Sequence, residues 1–257
     1  MPKGVITGVM SAHDAITHRV KRAVRQVSPA AFAERSAARK IVQQFAEQAG
    51  LIYFGTINPR DDDYHPIRGY TMSTTHRDRH YSVGNIRGYN VTLVSRRDMV
   101  RIANSPKPSP QQWLIAAVDM YTRRDVPYMF IGWQGKIASY PSYKLQPLRL
   151  GMFGPQPEEF MQKYTVYGEL GRAVEIERYL TPDVASVIVS HFDDFSIEIS
   201  SGVLYIYAAM ATPTMELLDR MVSDGLWLAA TFDVFAEQLA AAQAERHATI
   251  HQGYRHR

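Results

Sequence analysis

The sequence predicts an α+β fold: an antiparallel or mixed β-sheet with packed helices, an N-terminal amphipathic helix and a long C-terminal helix. Three observations carry this. Apolar residues recur at spacings of three and four near both ends of the chain. Between the ends lie alternating or short apolar runs, bounded by Gly, Pro, Asn and Asp, which mark strands. Their order is helices, strands, helix, strands, helix, which is not the regular series of a parallel β/α fold.

The first helix is predicted over residues 12–27, where Ala12, Ile16, Val20, Ala23, Val24 and Val27 form an apolar stripe. Arg19, Lys21, Arg22 and Arg25 fall mainly between them. Ser28-Pro29 ends this helix and starts a second, whose apolar face is Ala38, Ile41, Val42, Phe45 and Ala49, with Gly50 as its stop. Strands are expected in "LIYFGTI", "IRGYTMSTT", "RHYSVGNI", "GYNVTLVSR" and "PYMFIGWQGK". A helix is expected from 110 to about 122, with Ser109 as N-cap and Gln112 at the capping-box position. Further helices are expected over about 170–180 and from Thr181-Pro182 onward. "FSIEISSGVLYIYAA" reads as a hairpin turning at Ser201-Gly202, with Phe195, Ile197 and Ile199 on one face. Leu228, Phe232, Phe235, Leu239 and Ala242 then define the closing helix. The expected organisation is a basic amphipathic helix over 1–27, one α+β domain over 28–248 and a flexible tail over 249–257.

With 46% hydrophobic and 21% charged residues, the 257-residue chain has enough apolar material for a substantial core, and disorder is excluded except at the ends. The absence of cysteine excludes disulfides, thiolate–zinc centres and a cysteine nucleophile. No apolar run reaches the roughly 18 residues of a membrane-spanning helix, and the first 15 residues lack the apolar core of a secretory signal. A soluble, cytoplasmic protein is the expectation. Charge is uneven. Residues 1–107 hold 17 Lys/Arg against 8 Asp/Glu, a balance of +9, and the remainder holds 12 against 17, a balance of −5. A basic front half suits phosphates or anionic lipid, and it equally suits two halves that pack together.

The run "PEEFMQKYTVYGELGRAVEIERYLTPDVASVIVSHFDDFSIEISSGVLYIYAA" resembles the C-terminal half of an uncharacterised bacterial domain family, mainly over 158–209. The resemblance rests on Phe160, Tyr164, Val166, Tyr167, Leu180, Thr181, Pro182 and residues 204–207, with "GNIRGYNVTLVSR" as a looser match to a Gly-x-x-x-Gly-aromatic strand pair. Members of that family often carry N-terminal membrane helices, where this chain has a basic amphipathic helix. The resemblance implies a fold and no catalytic residue.

"THRDRHYSVGNIRGYN" holds the most chemically loaded candidates. On a continuous strand, His76, Asp78 and His80 project to one face about 6.5–7 Å apart, a donor set suited to zinc or another first-row divalent ion, with His65 as a further ligand. The other reading is the polar face of an ordinary hairpin, in which charge on an edge discourages aggregation. A nucleic-acid or anion surface would use Arg68, Arg77, Arg79, Arg87, Arg96, Arg97 and Arg101, with Tyr70, Tyr81 and Tyr89 for stacking. Arg19, Lys21, Arg22 and Arg25 would meet an anionic membrane surface. "VGNIRG" fits neither the dinucleotide nor the P-loop order, "DDD" at 61–63 lacks the rest of a calcium loop, and Glu175 and Glu177 do not face each other on a helix. No nucleophile elbow is present.

The leading expectation is a non-enzymatic structural or interaction domain with a protein partner, peripheral to the inner membrane surface. The alternatives are a nucleic-acid-binding protein and a metal-dependent enzyme using His76 and His80. No cofactor is expected.

Overall fold

The structure is a computed structural model in which residues 29–56, 69, 71, 76–100, 107–122, 126–140 and 146–254 are described. The chain divides into two compact units, Met1–Lys40 and Ile41–Arg257. The expected helix at 12–27 lies outside the described residues, as do 255–257 of the expected tail. Helix α1 spans Pro29–Ala49. From Ile41 onward it buries Val42, Phe45 and Ala46, matching the face expected from the spacing and adding Ala46 to it.

The second unit is built on a nine-stranded sheet whose paired strands are all antiparallel. In chain order the strands are β1 (Ile52–Gly55), β2 (Arg77–Ile86), β3 (Tyr89–Val100), β4 (Ser109–Asp119), β5 (Met129–Trp133), β6 (Gln146–Pro147), β7 (Tyr164–Gly168), β8 (Phe195–Ser200) and β9 (Val203–Ala209). In space the order is β1-β2-β3-β4-β9-β8-β5-β7-β6. The helices are α2 (Glu158–Lys163), α3 (Ala173–Tyr179), α4 (Pro182–His191) and the 40-residue α5 (Met215–Tyr254). The α+β expectation holds, and the long C-terminal helix is about 60 Å at 1.5 Å per residue.

Both faces of the sheet are covered. On one, Val91, Leu93, Leu114, Ala116, Val118, Ile197, Ile199, Leu204 and Ile206 meet the end of α1, helices α3 and α4, and Leu218, Met221, Leu228 and Phe232 of α5. On the other, Tyr81, Trp113, Phe130, Tyr140, Tyr205 and Tyr207 form a second, aromatic core.

Local chemistry explains several elements. Thr181 caps α4 by accepting from the Val184 N–H at 3.4 Å, with Pro182 at the first helical position. Thr214 does the same for α5 through Leu217 N–H at 3.1 Å. Ser201 and Gly202 both take positive φ, 53° and 77°, between paired Ser200 and Val203. This is a two-residue turn of the twist that antiparallel strands favour. Phe195, Ile197 and Ile199 are fully buried, as the hairpin reading expects.

The helix expected over 110–122 is instead β4, which pairs with β3 on one side and β9 on the other. The segment "WLIAAV" is buried on both faces, with Leu114, Ala116 and Val118 in one core and Trp113, Ile115 and Ala117 in the other. Such a run shows no alternation, and pairing on both sides outweighs the helical preference of Gln and Ala.

Candidate interaction surface

His76, Asp78 and His80 do not share one face. Between Arg79, opposite Ser95, and Ser82, opposite Leu93, β2 carries one extra residue. This is a β-bulge, and His80 takes φ 55° within it. Its imidazole turns to β1, where Nδ1 and the Tyr53 hydroxyl share a 2.9 Å hydrogen bond. His76 Nε2 stays 4.0 Å from Asp78 Oδ2, while that carboxylate is already held by a guanidinium. Arg96 Nε donates to Oδ1 at 2.8 Å and Nη2 to Oδ2 at 2.7 Å. Among the described residues no three His, Asp or Glu side chains form a metal-binding group, and His65 lies outside them. The expectation of a convergent triad is corrected by the bulge and by the Arg96 pair.

Arg96 is also removed from the anion surface, being fully buried. Its Nη1 reaches Thr71 Oγ1 at 3.2 Å. Nearby on the same sheet face, buried Tyr207 donates to Glu198 Oε2 at 2.5 Å. Burial first, and then the Glu198 carboxylate, push the Tyr207 phenol well above its ordinary range, with Arg96 opposing. Burial likewise raises Tyr140. Arg96 with Asp78 and Thr71, and Tyr207 with Glu198, are thus hydrogen-bonded within the fold and serve it.

The stacking surface is lost for a similar reason. Tyr81 is buried, and the Tyr89 hydroxyl donates to Asp233 Oδ2 at 3.0 Å. Tyr70, Arg68 and Arg101 lie outside the described residues, as do Arg19, Lys21, Arg22 and Arg25. Arg77 and Arg97 are exposed and Arg79 is half-buried, with Arg97 Nε donating to Gln112 Oε1 at 2.8 Å. Of the tyrosines expected to stack, Tyr81 is thus closed off and Tyr89 is tied to Asp233.

Arg87 stands apart. It occupies the β2–β3 turn with φ 53°, followed by Gly88 at 91°, and this places it on the bank of a groove of about 440 Å³. The last turn of α1 supplies Phe45, Gln48 and Ala49, and the turn supplies Ile86 and Arg87. The first three turns of α5 supply Met215, Glu216, Asp219, Val222, Ser223 and Leu226. Asp233 of α5 accepts from the Tyr89 hydroxyl of the hairpin, and also from the backbone N–H groups of Tyr121 at 3.2 Å and Thr122 at 2.8 Å, just after β4. Burial, then the Asp233 hydrogen bond and charge, push Tyr89 up to about 12. The groove has an apolar floor and charged banks, which suits binding rather than proton transfer. Sequence reading picked out Arg87 but not the groove, since its walls come from segments around residues 45, 86 and 219.

No protein-family model matches the chain, and no curated protein matches it either. Among solved structures it is similar to that of the mycobacterial trehalose monomycolate transport factor A, TtfA. The two are 16% identical with a TM-score of 0.48, over 77% of this chain and 93% of that one. No helix among the described residues is long and apolar enough to cross a membrane.

Proposed function

We propose that this protein is a non-enzymatic interaction domain, working on the cytoplasmic side, that holds a partner protein in the groove between α1, the β2–β3 turn and α5. The observation that carries the reading is the groove itself: about 440 Å³, floored by Phe45, Ile86, Val222 and Leu226 and open between charged banks. Its volume is that of a small-molecule cleft, for which about 300–1,000 Å³ is typical, and gives room for a few side chains of a partner. The other charged clusters support the reading from a different side, because Arg96 and Glu198 are buried and, with the half-buried Asp78, bonded within the fold. A peripheral place at an anionic membrane belongs to residues 12–27, and vesicle co-sedimentation with and without that segment tests it.

The groove reading is tested by photocrosslinking in the native host. A benzophenone amino acid at Gln48 should give a discrete adduct that disappears when Ser223→Trp fills the groove. The same label at Ser190, exposed on α4, should give none. Matching adduct patterns at both positions, unaffected by Ser223→Trp, would refute the assignment.

A further inference from the structure

We infer that the groove takes an amphipathic helix whose apolar ridge is flanked by lysine or arginine; this inference rests on the interaction reading above and names the partner's chemistry. The floor is a strip of Phe45, Ala49, Ile86, Met215, Val222 and Leu226. A space of about 440 Å³ holds a few side chains rather than a folded surface, which matches the anchors a helix presents at spacings of three, four and seven.

Charge then selects the partner. Glu216 and Asp219 stand three residues apart on α5, hence on one face about 5–6 Å apart at Cβ, and both are exposed along the groove. Neither makes an ion pair or hydrogen bond among the described residues, and the same is true of Arg87 on the opposite bank. The negative end of α1 and the positive end of α5 both reach the groove and offset one another. What is left is an acidic wall along α5 and one guanidinium across from it. A docked helix therefore lays its cationic flank on Glu216 and Asp219, with its apolar ridge on the floor. Arg87 repels cations and orients it.

The test measures binding of three fluorescent 16-residue synthetic peptides to the full chain by anisotropy. One carries leucine at helical spacing with lysine elsewhere, one has the same residues scrambled, and one replaces lysine by glutamate. The helical leucine–lysine peptide should bind at least about tenfold more tightly than either control and weaken as salt rises. Glu216→Gln with Asp219→Asn should weaken it about five- to tenfold, as expected for two exposed charges. Ser223→Trp should abolish binding, with thermal melts confirming that each variant is folded. Equal binding of the leucine–glutamate peptide, still lost in Ser223→Trp, would overturn the cationic assignment and leave the groove as a binding site. Binding that survives Ser223→Trp, or no binding of any peptide, would overturn both.

Discussion

Arg96 and Asp78 face each other directly across β3 and β2 and are joined by two hydrogen bonds of 2.8 and 2.7 Å, with side-chain exposures of 0% and 5%. The pair lies on the aromatic face of the sheet, beside the strand that carries Trp113. A two-pronged guanidinium–carboxylate contact is among the stronger polar contacts in a protein, and its partners are costly to leave alone in a dry interior. The same geometry makes Asp78 a poor metal ligand and Arg96 a poor anion receptor, because each already occupies the other.

Removing one partner should therefore be severe. Arg96→Met or Asp78→Ala is expected to destabilise by about 3–5 kcal/mol, the range for a buried charge left uncompensated. Arg96→Met combined with Asp78→Leu should cost less than the two singles added together. Urea unfolding of the cycle measures this, and strictly additive costs would show that the pair carries no coupling.

Parts of this fold are legible because their causes are local. Thr181-Pro182 starts a helix through one hydroxyl and one fixed φ, and Ser201-Gly202 turns a hairpin through two backbone angles. The alternation of Phe195, Ile197 and Ile199 names a core face without reference to anything distant. β4 fails that test, since both of its faces are buried and its period carries no information. His80 fails differently: a histidine at φ 55° follows from pairing with β1 and β3, not from its neighbours in sequence. The groove was invisible because Phe45, Ile86 and Val222 meet only in three dimensions.

The turns offer two opposed substitutions. Gly202→Val places a branched side chain at φ 77° and should cost about 1–3 kcal/mol. Arg87→Asn puts the residue preferred before glycine into a turn of the same kind. It should gain about 0.5 kcal/mol, or roughly 1–2 °C in Tm for a chain of this size. Differential scanning calorimetry reads both, and a parent-like melt for Gly202→Val would show that the turn tolerates the strain.

Asp224 supplies a pH test. Its Oδ2 is buried with no hydrogen-bond partner among the described residues, and burial pushes the carboxyl above its ordinary value, against the pull of His191 and Arg220. A carboxyl whose pKa is raised by folding favours the folded state when protonated. That contribution is complete below the ordinary carboxylate pKa of roughly 4 and is lost as pH rises through the raised value. Asp224→Asn should accordingly raise Tm near pH 7, and the gain should shrink toward zero as pH falls to about 4. A gain independent of pH would assign the effect to something other than ionisation.

Tyr89 makes the opposite end of the pH scale informative. Its hydroxyl donates to Asp233 at 3.0 Å, and its ring lies 4.6 Å from that of Tyr121. Tyr89→Phe keeps the ring contact and removes only the hydroxyl, while Asp233 retains the N–H groups of Tyr121 and Thr122. The carboxylate is not orphaned, so the cost near neutral pH should be about 1 kcal/mol, that of a single hydrogen bond. Burial and Asp233 raise the phenol from 10.0 to about 12. Its stabilising effect is thus complete below pH 10 and disappears as pH climbs through about 12. The gap between parent and variant should therefore be constant from pH 7 to 9 and close as pH rises beyond 10. Tyr140, Tyr164 and Tyr207 are also raised, but they titrate alike in both proteins and cancel in the difference. Urea midpoints at pH 7, 9 and 11 decide the matter: a gap that holds its full size at pH 11 would mean that Asp233 does not hold this proton in place, and that its hydrogen bonds tie α5 to the chain after β4, through Tyr121 and Thr122, rather than to the hairpin bearing Arg87.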